Sequence, residues 1–124
     1  MNDSENWRVR SVMPILGVPD LEAASQYYEK LGFKEQWRYP DAKQATHLGM
    51  SFSELSFMFS HCEDSLRDRQ NLYITMENLS SYYEHLSTVL PDIGAIVETD
   101  YGMKDISITD PWGHILTFGE PENE

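Results

Sequence analysis

The chain is poor in cysteine, poor in bases and free of long apolar runs, and each shortage excludes something. A single cysteine, Cys62, rules out an intrachain disulfide and gives no sign of an oxidising compartment. Its acidic neighbours Glu63 and Asp64 make a poor setting for a thiolate nucleophile. Only nine Lys and Arg stand against 21 Asp and Glu, a formal net charge of −12 at pH 7. Nucleic acids and anionic membrane surfaces are bound by cationic side chains, so neither is an expected partner. A cationic small molecule would be attracted, although acidity also serves plain solubility. No apolar run approaches the ~20 residues of a membrane-spanning helix. The N-terminus lacks the basic-then-apolar layout of a signal peptide, and the expected location is the cytoplasm. There is no phosphate-binding glycine loop, no redox Cys pair and no nucleophile motif joined to a Ser-His-Asp set.

What is present is enough apolar material for a core. Of 124 residues 40% are hydrophobic, and the aromatics comprise 3 Trp, 7 Tyr and 5 Phe. The acidic ends MNDSEN and EPENE are expected to pack against nothing. Between them, VMPILGV (12–18) reads as a strand. Asp20 stands where an N-cap belongs, and Leu21, Ala24, Tyr28 and Leu31 share one helical face before Gly32 ends the helix. FKEQWRY (33–39) alternates, with Phe33, Glu35, Trp37 and Tyr39 on one side. PDAK (40–43) is a turn, and QATHLGM (44–50) and ELSFMFS (54–60) are strands. The charged stretch 61–70 has no apolar period and reads as a connection.

The order then repeats. NLYITM (71–76) is a strand, Asn78 takes the cap position, and LSSYYEHLSTVL is a helix with Leu79, Tyr82, Tyr83, Leu86 and Leu90 inward. AIVETDY (95–101) and MKDISIT (103–109) are strands joined at Gly102. DPWG (110–113) is a tight turn and HILTFG (114–119) closes the set. YYEKL (27–31) and YYEHL (82–86) thus fall at the ends of equivalent helices. The reading is an α+β chain of two βαβββ modules, about 11–60 and 71–119 with a linker at 61–70, forming one domain. Neither half can cover both faces of its strands alone.

PILGVPDLEAASQYYEKLGF, with its strand, V-x-D-L, aromatic pair and L-G-F, resembles the opening of the vicinal-oxygen-chelate superfamily. That group includes glyoxalase I, ring-cleaving dioxygenases and bleomycin-resistance proteins. ISITDPWGHILTF resembles its closing hairpin around D-P-x-G, and the likeness spans 11–119. It implies sheets curved around a cavity, helices on the outer face, and a homodimer that completes two cavities.

Catalytic members of the family hold a divalent metal through His, Gln and Glu. Aligned on the motifs, those positions are Met13, Asn71 and Thr117 here. A thioether, an amide and a hydroxyl are poor substitutes for imidazole and carboxylate. His47, Glu54 and His114 are the fallback candidates. His47 and Glu54 fall on neighbouring strands of one hairpin, and His114 is placed near a sheet edge. Each also reads as an ordinary rim residue. His61 and His85 read as solvent-facing.

The resemblance is greatest to the metal-free, bleomycin-resistance branch, which implies a small-molecule binder with no cofactor and a cationic or aromatic ligand. Candidate lining residues are Met13, Trp37, Tyr39, His47, Met58, Asn71, Tyr73, Tyr101, Asp105 and Thr117. Flat aromatic faces suit planar or cationic groups. For Trp37, Tyr39, Tyr73 and Tyr101, cavity lining and ordinary packing both stand open. Phe33, Phe57, Phe59, Tyr28, Tyr83 and Phe118 are assigned to the core. Two alternatives remain beside the binder: a divalent-metal lyase or dioxygenase-like enzyme, and a binder of some unrelated metabolite.

Overall fold

The computed structural model describes residues 6–64 and 68–122. The expectations for the two ends, and for the connection at 61–70, fall partly outside these residues. The first sheet is built from β1 (Ile15–Val18), β2 (Lys34–Tyr39), β3 (His47–Phe52) and β4 (Leu55–His61), with α1 (Leu21–Lys30) between β1 and β2. The second is built from β5 (Asn71–Thr75), β6 (Val97–Glu98), β7 (Met103–Thr109) and β8 (Ile115–Pro121), with α2 (Leu79–Val89) after β5. Strand order is β1-β4-β3-β2 in one and β5-β8-β7-β6 in the other. In each sheet the first strand runs parallel to the last, and the rest are antiparallel. Two copies of one α+β unit therefore make up the described chain.

One face of each sheet feeds a common core. Leu16, Val18, Phe57 and Phe59 from the first sheet join Ile106, Ile108, Leu116 and Phe118 from the second. Leu21, Ala24, Tyr28, Leu79 and Leu86 fill it from the helices. Tyr28 sits among Phe33, Phe57 and Phe59, with ring centroids 4.9–6.0 Å away. The pairs with Phe33 and Phe57 are edge-to-face, and such pairs add about 0.5–1.5 kcal/mol beyond burial. Tyr83, expected in the core, is only half-buried and donates its hydroxyl to the Gly94 carbonyl at 2.7 Å.

Local chemistry explains the helix ends, with one correction. Asp20 accepts from the Ala23 N–H at 3.1 Å, as its N-cap position predicts. Gly32, at φ +109°, then turns the chain out of α1. Asn78 occupies the cap of α2 but makes no side-chain cap bond, and its φ is +61°. The carboxylate of Glu120, on β8, takes the N–H groups of Asn78 and Leu79 at 2.8 and 3.0 Å instead. An anion at a helix N-terminus satisfies orphan donors and opposes the dipole, whichever element supplies it.

The strand boundaries also shift. The strand expected from residue 12 begins at Ile15, and that expected over 95–101 shrinks to Val97–Glu98. A β-bulge between Glu35 and Trp37 breaks the alternation expected over 33–39. Glu35 pairs with buried Met50 and accepts from Ser25 of α1, so it faces the helix. Trp37 pairs with Gly49 and turns to the opposite face, as does Tyr39 opposite His47. An extra residue in one strand reverses the facing of all that follow it. The bulge thus lets Phe33 lie in the core while Trp37 does not.

The modules are joined by buried polar bonds. His114 is fully buried, not placed at a rim. Its Nδ1 accepts from the Gln70 N–H at 2.9 Å, which leaves Nε2 to donate to the Gly17 carbonyl at 2.8 Å. Asp110, also buried, accepts from the Tyr28 hydroxyl at 2.6 Å and from the N–H groups of Trp112 and His114. Burial and Asp110 both push the Tyr28 phenol far above its ordinary pKa. No helix among the described residues is long and apolar enough to cross a membrane.

Candidate functional site

Four aromatics lie away from the helix-covered core. Trp37 is 38% exposed, Tyr73 49%, Tyr39 63% and Tyr101 64%. Trp37, Tyr39 and Tyr73 lie on strands and Tyr101 in the turn before β7, each with part of its ring open to solvent. Met13, just ahead of β1, and Ile15 on it are likewise uncovered, while Met58 on β4 is half-buried.

Two glycines make room for two of the rings. A Cβ on Gly49 would run into the indole of Trp37. A Cβ on Gly119 would run into the Tyr73 hydroxyl and lie 2.6 Å from Asp105 Oδ1. Glycine inside a strand weakens it and marks a place where another group comes close to the backbone. The indole therefore lies against β3, and the Tyr73 hydroxyl reaches across β8 to Asp105 on β7.

Asp105 is 8% exposed and sits at the centre of a tyrosine pair. Tyr73 donates to its Oδ1 at 2.8 Å and Tyr101 to its Oδ2 at 2.5 Å. Loss of water around the hydroxyl, then the bond and charge of Asp105, push the Tyr73 phenol up to about 12. The hydrogen bond to Asp105 raises Tyr101 too. Both phenols are thus held protonated as donors. On the neighbouring rungs, Ser107 and Thr117 share a 2.6 Å hydroxyl bond. Asn71 opens β5 and is exposed.

The fallback set does not assemble. His47 pairs with Ser60 at one end of the β3–β4 hairpin, whereas Glu54 lies in the turn at the other end. The five strand steps from His47 to Phe52 alone span about 17 Å. His47 instead contacts the Thr46 hydroxyl at 2.9 Å and lies edge-on to Tyr39. Glu54 borders a hollow of about 400 Å³ on the helix side, with Phe52, Leu55, Ile74, Met76 and Glu77. Both nitrogens of His114 are already used. Among the described residues no three of His, Cys, Asp and Glu stand close enough to hold a metal ion. Met13, Asn71 and Thr117 do not fit a hard divalent metal: all three are neutral, weak donors, and the Thr117 hydroxyl is bonded to Ser107.

Sequence reasoning named these residues singly but missed their connection. Its one available signal was Asp105 beside Ile106 and Ile108, an acid within a strongly apolar strand. The glycine seats and the shared carboxylate needed the cross-strand register.

Paired βαβββ units with helices on one face and an open aromatic face on the other define a class of fold. Residues 9–118 match the family model of the Glyoxalase/Bleomycin resistance protein/Dioxygenase superfamily, and the chain belongs to that family. No curated protein sequence matches it. Among solved structures it is similar to a bleomycin-binding protein complexed with bleomycin, at 21% identity and TM-score 0.76, over 92% of this chain and 100% of that one. It is similar to a bleomycin resistance determinant encoded on the transposon Tn5, at 21% identity and TM-score 0.77, over 92% and 99%. A glyoxalase-related enzyme from Clostridium phytofermentans gives 19% identity and TM-score 0.79, over 94% and 98%. At these identities the likeness carries the fold alone, since this architecture hosts both catalysis and binding.

Proposed function

We propose that the protein is a metal-independent small-molecule binder that sequesters an aromatic or cationic ligand against the open faces of its sheets. It works as one domain, as a homodimer, in the cytoplasm. The observation that carries this is the set of uncovered rings seated by glycines, with Trp37 on Gly49 as its clearest member. Holding a large ring flat on a strand costs side-chain freedom, and a planar ligand recovers that cost by stacking. A bleomycin-binding protein and a bleomycin resistance determinant share the fold, which supports a binding mode of action here. Met13, Asn71 and Thr117 favour binding over metal chemistry.

The dimer is supported by the apolar surface left open. Trp7, Val9 and Val12, in the segment before β1, are 79%, 88% and 85% exposed. Ile15 and Val97 on the sheets are 53% and 59% exposed. β1 and β5 are the terminal strands of their sheets, and a second copy would cover both edges and faces.

Titration of chelator-treated protein with a bleomycin-type glycopeptide tests the reading through tryptophan fluorescence. Binding is expected to quench the emission and raise the unfolding temperature by several degrees at about 100 times Kd. Trp37→Ala is expected to abolish the quench. Affinity is expected to fall on dilution, as the dimer dissociates. A quench that survives in Trp37→Ala overturns the site. A requirement for added metal overturns metal independence, and a monomer at every concentration by sedimentation overturns the dimer.

A further inference from the structure

We propose that Tyr73, Asp105 and Tyr101 form a charge-selective subsite for a small organic cation, an alkylated ammonium group. The inference rests on the binding reading above and specifies one end of the ligand. Its basis is a buried carboxylate with no cationic partner. Asp105 is 92% buried, yet no Lys, Arg or His among the described residues pairs with it. Burying a charge without a counter-charge is costly, and two phenol donors offset only part of that cost.

The local geometry suits an onium group. Each Asp105 oxygen takes one phenol hydrogen and keeps further lone-pair capacity. The two hydroxyls anchor two aromatic rings to the same carboxylate. A hollow of about 390 Å³ opens beside it, with Val97, Thr99, Tyr101, Asp105 and Ser107 in its wall. The Tyr101 ring in that wall supplies cation–π attraction, the acid supplies charge, and apolar Val97 meets alkyl groups, while Tyr73 holds the acid from the far side of the hollow's wall. Gly119 is required because any side chain there would displace the Tyr73–Asp105 bond. A bare metal ion is a poor match, since one carboxylate oxygen pair with two phenols falls short of the six or more oxygens a hard cation takes.

The test compares choline with its uncharged carbon isostere, 3,3-dimethylbutan-1-ol, by NMR titration of the full chain. The two differ in charge at nearly equal shape. Wild-type protein is expected to prefer choline by about tenfold, the scale of a desolvated cation–π contact. Asp105→Asn keeps the shape and is expected to erase most of that preference. Asp100→Asn removes the same charge from the neighbouring turn and is expected to leave it largely intact. Equal binding of the two probes to wild type, or no binding of either, overturns the subsite without recourse to any variant. So does an equal loss in both variants, which would report net charge alone. Trp37 quenching by a planar ligand is read separately. If it persists without choline selectivity, the subsite fails and the binding reading stands; the reverse pattern removes the Trp37 site and keeps the subsite.

Discussion

The two modules share an element order but divide their labour. The first buries Leu21, Ala24, Ser25 and Tyr28 of α1, while the second buries only Leu79 and Leu86 of α2. β2 spans six residues, whereas its counterpart β6 spans two. The repeated pentapeptide makes the contrast sharp. Tyr28 is fully enclosed and bonded to buried Asp110, while its counterpart Tyr83 is half-exposed and bonded to a loop carbonyl. The same side chain thus acts as a core member in one module and as a surface tie in the other. The first module is the more fully buried scaffold. The second, with more of its surface open, carries the buried acid and its tyrosines.

This comparison can be broken most severely at the joint. His114→Ala leaves a cavity and strands the Gln70 N–H and the Gly17 carbonyl, a loss of about 3–4 kcal/mol. Denaturant unfolding is expected to show a lower midpoint, and an unchanged midpoint would mean the modules do not depend on this bridge. The tyrosine pair sharpens the contrast at smaller scale. Tyr28→Phe takes a donor from a buried carboxylate and is expected to cost about 2 kcal/mol, against less than about 1 kcal/mol for Tyr83→Phe. Equal costs would erase the distinction between the modules.

The helix caps give a smaller effect than the joint. Asp20→Ala removes one local bond and is expected to cost about 1 kcal/mol. Glu120→Ala removes two charge-assisted bonds from another strand, and about 1–2 kcal/mol is expected from the lost bonds and dipole interaction. Thermal unfolding of the two variants measures the difference. A Glu120→Ala protein as stable as wild type would show that α2 needs no cap from β8.

Much of the fold was legible because period and punctuation agree. Asp20, Gly32 and the 3-4-3 spacing from Leu21 to Leu31 mark α1 in the sequence alone, and DPWG marks the β7–β8 turn. Asn78 misled because a good capping residue in the right place was displaced by a distant carboxylate. The bulge at Gln36 left no trace, since an extra residue in a strand keeps ordinary composition. The site was legible only as separate residues. Trp37, Tyr73, Tyr101 and Asp105 could be named from facing and type, but not that one acid serves two tyrosines. His114 looked like a rim residue because one of its partners, the Gly17 carbonyl, comes from the other module.

The recesses at Gly49 and Gly119 are made by leaving atoms out. Most pockets depend on many side chains, whose drift is absorbed by small adjustments. Here a single methyl group at either position takes the place of a ring or of its hydrogen bond. Gly49→Ala and Gly119→Ala therefore act as chemical plugs, each able to fill one recess while leaving the other in place. Pairs of such plugged chains, mixed with the wild type, would report which seated ring each end of a ligand meets and whether both ends sit on one chain.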